Sequence, residues 1–138
     1  MTVRIAKLFA GLACVAFVVA ILGRVRAFPH SRLYLHMPYI WLSAFYWQLF
    51  IGLVCAGFGF AYFALVRLTQ RPLNQTAGLV GFFLVAFASV VWLISSFLAM
   101  THSPLSFWVA ILLLAAVNSF LLGVVVSVAN LASLFLRK

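Results

Sequence analysis

Four long apolar segments, at about residues 5–22, 38–66, 77–100 and 105–136, leave this chain little to become except a set of membrane-spanning helices. A helix rises about 1.5 Å per residue, so roughly 20 apolar residues cross the ~30 Å hydrocarbon layer of a bilayer. The second and fourth segments are longer than a crossing needs. The first turns of the second carry Tyr39, Trp41, Tyr46 and Trp47, which suits a headgroup-level aromatic belt or a tilted helix. Composition excludes the soluble alternative. Of 138 residues, 68% are hydrophobic and 7% charged; a soluble domain is nearer a quarter charged. A chain this short has no interior large enough to hide that much apolar surface. The expected fold class is an all-α membrane protein, a single-domain bundle of four transmembrane helices.

The breaks between segments carry stop signals. Gly23 to His30 ends the first, Thr69-Gln70-Arg71-Pro72-Leu73-Asn74 separates the second and third, and Thr101-His102-Ser103-Pro104 separates the third and fourth. Thr101 or Ser103 is the expected N-cap of the last helix. The first segment has the basic start and short apolar run of a signal peptide, with Arg4 and Lys7 ahead of it. With Met1 still present, it is expected to remain as a helix.

Charge is one-sided. The chain has nine Lys and Arg and no Asp or Glu. Carboxylates perform much of the acid–base, hard-metal and proton-relay work of proteins, so their absence removes most catalytic routes and points to a chain that is not an enzyme. The charges cluster at helix ends rather than in a stripe, which argues against nucleic acid. Anionic lipids or acidic faces of larger membrane-protein subunits are the expected partners. Four spans place Arg4, Lys7, Arg67, Arg71, Arg137 and Lys138 on one side and Arg24, Arg26 and Arg32 on the other. By the positive-inside rule both termini are expected to be cytoplasmic (N-in, C-in), as in a bacterial inner-membrane protein.

Few residues carry chemistry. His30, His36 and His102 fall on the outer side and are the candidate metal ligands, for copper, zinc or haem. Their spacing matches no compact ligand motif, and no carboxylate is there to orient the rings. Ser43, Gln48, Ser89, Ser95, Ser96, Asn118, Ser119 and Ser127 lie inside the apolar segments, where such groups usually bond helix to helix. Gln48 and Asn118 are the candidate cofactor contacts, for quinone or a lipid headgroup, because an amide is costly to bury alone. Gly52-x-x-x-Ala56, with Gly57 and Gly59, marks the second helix as the close-packing one. Cys14 and Cys55 are expected to behave as small buried hydrophobes. A channel would need a polar stripe, and Ser43, Gln48 and the serines of the third segment are too sparse to make one.

Residues 33–138 also resemble the C-terminal helices of the catalytic subunit of haem-copper oxidases. His36-Met37-Pro38-Tyr39-Ile40-Trp41-Leu42-Ser43-Ala44-Phe45-Tyr46-Trp47 is similar to that family's His-Asp-Thr-Tyr-Phe-Val-Val-Ala-His-Phe-His-Tyr, sharing its first His, its Tyr and a Phe. Arg71-Pro72-Leu73-Asn74-Gln75-Thr76-Ala77-Gly78 looks like the family's Arg-x-Leu-Asn-x-x-x-Gly loop, and Ser127, Asn130 and Ser133 before Arg137-Lys138 look like its final helix. Ala44 and Tyr46 stand where the family has its two haem-ligating histidines, and Met37 where it has an acidic residue. The resemblance therefore implies a remnant without haem or copper chemistry. It would be an accessory subunit of a respiratory or metal-oxidase complex, with a small haem-, copper- or quinone-binding protein as the alternative.

Overall fold

The computed structural model describes residues 3–22, 44–69, 73–101 and 107–136. They form four helices: α1 (Val3–Leu22), α2 (Ala44–Thr69), α3 (Gln75–Thr101) and α4 (Phe107–Leu136). All four are long and apolar enough to cross a membrane. Residues 38–43, expected at the start of the second helix, lie outside the described residues, as do the outer-side histidines and Ser43. The other ends fall within three residues of the expected ones.

The helices run up, down, up and down. Along α1 and α2, Phe17 lies against Gly52, while Ala6 and Ala10 lie against Gly59. Along α3 and α4, Asn130 lies against Gly78 and Gly123 against Val85. Both pairs are therefore antiparallel hairpins. Each hairpin packs closely along its length, and the two meet along a narrower line through α1–α3, α2–α3 and α2–α4.

Each helix buries one seam spaced alternately by three and four residues. In α4 it is Val109, Leu113, Ala116, Phe120, Gly123, Ser127, Asn130 and Leu134. In α3 it is Gly78, Gly81, Val85, Ala88, Trp92 and Ser95. In α1 it is Ala6, Phe9, Ala13, Ala16 and Ala20, and in α2 Gln48, Gly52, Cys55, Gly59 and Tyr62. Such a heptad-like repeat is the pattern of left-handed, nearly parallel helix packing. The seams are rich in Gly, Ala and Ser because lipid tails compete with Leu for apolar contact, so helices associate by shape and hydrogen bonds instead.

Two aromatic layers fill the space between hairpins. In one, Phe9 stacks on Tyr62 at 5.7 Å and meets the edge of Phe82 at 5.4 Å. In the other, Trp47 stacks on Trp92 at 4.7 Å and packs edgewise on Phe120 at 5.6 Å.

Of the four small residues Gly52, Ala56, Gly57 and Gly59, the first and last lie against α1 and the middle two do not. Gly52 sits under the Phe17 ring, with a ring carbon 3.1 Å from where its Cβ would be. Ala56 is exposed, and Gly57 has nothing near it. The backbone approach of α2 to α1 is at Gly59, where a Cβ would lie 3.3 Å from both Ala6 O and Ala10 N. A four-residue step overshoots a full turn by about 40°, so Ala56 leaves a seam that Cys55 keeps. Among the described glycines, the closest approach to a neighbouring backbone joins α3 to α4. A Cβ on Gly123 would be 3.0 Å from both Gly81 O and Val85 N, and the Ser127 hydroxyl fills the space above Gly81.

Candidate functional site

The buried polar side chains gather in two places, one at each end of the line between hairpins. Toward the start of α2, Gln48 is fully buried against α3. Its Nε2 donates to Ser89 O at 3.1 Å, and its Oε1 accepts from Ser89 Oγ at 2.9 Å. Both halves of the carboxamide are thus engaged by one residue of the opposite hairpin. Gln48 is a cross-link; what it offers a quinone or headgroup is a side chain already committed on both sides.

The second cluster joins three helices through Asn130. Its Nδ2 donates to Tyr62 Oη at 3.2 Å and to Asn74 O at 3.0 Å. Asn74 is also the N-cap of α3. Its Oδ1 accepts from Ala77 N at 3.3 Å, and its carbonyl accepts the first helical bond from Gly78 N at 3.1 Å. One amide of α4 therefore ties α2 to the start of α3, which satisfies a capping carbonyl and a phenol together. Gly78 makes room for it: a Cβ there would lie 3.2 Å from Asn130 Nδ2 and would press on Ile5 of α1. Asn130 Oδ1 is buried and makes no hydrogen bond among the described residues.

Ser95 and Asn118 bond within their own helices. Ser95 Oγ donates to Val91 O at 2.7 Å within its own helix. Asn118 is exposed, and its Nδ2 donates to Leu114 O one turn back at 2.8 Å. The structure therefore separates the two amides: Gln48 faces inward and Asn118 outward. Cys55 is buried, but Cys14, expected to be buried too, is exposed; it lies one position past the seam residue Ala13. Tyr62 and Asn130 as an inter-hairpin pair were beyond sequence reasoning, since 68 residues separate them. The Asn74 cap was within its reach, because Asn followed three residues later by a free N–H is an ordinary helix start.

The described basic residues share one end. Arg4 and Lys7 open α1 beside the close of α2, and Arg67 is there too, its guanidinium 5.1 Å from the centre of the Phe63 ring. All three are exposed. The aliphatic stems can lie along the bundle while the charges reach a headgroup layer. No group of three His, Cys, Asp or Glu side chains capable of holding a metal ion occurs among the described residues. His30, His36 and His102 are outside them.

No known protein family, curated protein or solved structure matches the chain.

Proposed function

We propose that this chain is a non-catalytic structural subunit, one that packs beside larger membrane-protein subunits and stiffens or completes their assembly. The observation that carries this reading is how its buried polar groups are used. Gln48, Ser89, Tyr62, Asn74 and Asn130 bond one another across helices. In a transporter or cofactor protein the equivalent groups face a cavity or ligand. The absence of Asp and Glu from the whole chain supports the same reading. The host complex we have in mind is respiratory or metal-oxidase related, in a bacterial inner membrane. The basic end bearing Arg4, Lys7 and Arg67 would face the cytoplasm with both termini, against anionic lipid.

Mild detergent extraction of the native membrane, followed by identification of what migrates with the chain, tests this directly. Co-migration with larger membrane subunits in fixed proportion is expected. A chain that migrates without other proteins, or that shows a Soret band or stoichiometric copper once isolated, would remove the reading. Labelling of single cysteines near either terminus, in sealed and opened vesicles, tests the orientation.

A further inference from the structure

Asn118 is out of place among the outward-facing residues. It lies about three turns from the nearer end of α4, while every other exposed side chain bearing nitrogen or oxygen, among the described residues, lies within two turns of a helix end. Its Nδ2 spends one hydrogen on Leu114 O. Its Oδ1 and second N–H make no hydrogen bond among the described residues. In a spanning helix this half-used amide would face hydrocarbon, where an unmet polar group is costly.

Its surroundings form a second ridge. Ile111, Leu114, Asn118, Leu121, Val125 and Val128 repeat at alternating steps of three and four, on the side of α4 away from α3. All are exposed, Leu114 by 65% and Val125 by 63%. This is the spacing with which α4 already packs its inner seam. A lone Asn within such an apolar ridge sets register and favours a two-stranded pairing.

We infer that this ridge is the contact between two copies of the chain, with α4 laid parallel to α4 and Asn118 paired with its counterpart. Complementarity selects the occupant. A carboxamide is its own complement, donor to acceptor in both directions. Two copies with the same membrane orientation are related by a two-fold axis along the bilayer normal. That axis places residue 118 of both at one depth, so each Oδ1 can accept from the other Nδ2–H. A foreign helix would need a matching group at that level. The chain has no acid to pair with the basic residues of its copy, so the amide pair and the apolar ridge hold the dimer against like-charge repulsion. Anionic lipid or salt, by screening that repulsion, strengthens it.

The test uses the full chain, tagged with one fluorophore per copy and reconstituted in phosphatidylcholine–phosphatidylglycerol vesicles over a range of densities. Stepwise photobleaching counts the copies. Two-step traces are expected to rise with density, and Asn118→Leu to raise the dissociation constant by about tenfold or more, while Asn118→Gln stays within about threefold of the parent. Asn118 is exposed, so Asn118→Leu retains the fold; unchanged thermal unfolding of the bundle checks this. In a Cys14→Ser background, oxidation should cross-link Leu121→Cys, on the same ridge with the amide intact, to its copy and leave Val90→Cys, on the outer face of α3, uncross-linked. Single-step traces at every density, an Asn118→Leu variant that dimerises like the parent, or cross-linking through position 90 alone would overturn the inference. So would Asn118-dependent capture of a different membrane protein without self-cross-linking. The inference stands apart from the accessory-subunit reading: a dimer that binds nothing else sinks that reading alone, and a monomer inside a larger complex sinks only the dimer.

Discussion

Gly123→Ala measures whether α3 and α4 are held by close backbone approach. A Cβ at 123 would lie 2.8 Å from Val85 Cγ2 and 3.0 Å from both Gly81 O and Val85 N. The methyl of Val85 can turn aside, but the two backbone atoms can move only with their helix. Restoring an ordinary contact of 3.4 Å takes a separation of about 0.4 Å at the tightest point of the seam. Gaps on the order of 0.5 Å already forfeit about a quarter of the dispersion energy of the atoms involved, and overpacking a filled site costs roughly 1–3 kcal/mol. Alanine returns up to ~1 kcal/mol through its better helix propensity. The net expectation is a loss of about 1–2 kcal/mol. Gly57 is the control. A Cβ there meets nothing within 4 Å, so Gly57→Ala keeps the propensity gain and should be neutral or stabilising by up to ~1 kcal/mol. The two variants have the same chemistry and differ only in what faces the new methyl. Reversible unfolding in mixed micelles, followed by helical circular dichroism against the mole fraction of strong detergent, reads both. If Gly123→Ala is as stable as the parent, or if Gly57→Ala loses as much, the argument from backbone contact fails.

Gln48→Leu removes both bonds to Ser89 and should destabilise the bundle by about 1–2 kcal/mol, while Ser89→Ala leaves the bond to its own carbonyl and should cost less than ~1, since membrane hydrogen bonds average near 0.6 kcal/mol and reach about 1.7. The double variant should lose little more than Gln48→Leu alone, and a fully additive cycle would show that the two side chains do not interact. Asn130→Ala, which frees both Tyr62 and the Asn74 carbonyl, should cost about 1–2 kcal/mol, while Tyr62→Phe costs less than ~1 because Asn130 keeps Asn74; the reverse ranking in the same unfolding assay would count against the three-helix tie. Cys55 should resist a membrane-permeant maleimide until the bundle unfolds, and its ready labelling in the folded protein would contradict its placement inside the bundle.

The candidate sites were only partly legible before folding. That an amide inside an apolar helix matters was readable for Gln48 and Asn118 alike. That one is sealed between hairpins and the other turned outward depends on which face of each helix meets a neighbour. Asn130 drew notice only through the family resemblance, yet it ties three helices together. Its role needs the cap of α3 and the Tyr62 phenol brought beside it from distant parts of the chain.

The sequence by itself determined that there are four helices of spanning length, where they stop, and that the chain carries a basic surplus with no acid. Those properties add up residue by residue: transfer into lipid depends on local apolar content, and the bias of a residue before proline against helix is a local steric effect. Only the tertiary structure decided which face of each helix is inside. In water an apolar stripe announces the buried face. In lipid the outside is as apolar as the core, so Leu114 and Leu113 read alike although one is exposed and the other buried. Shape and hydrogen-bond matching make that choice, and both exist only once the helices are side by side. Gly59 and Gly57, two residues apart on α2, show the consequence: one lies against the backbone of α1 and the other faces open space.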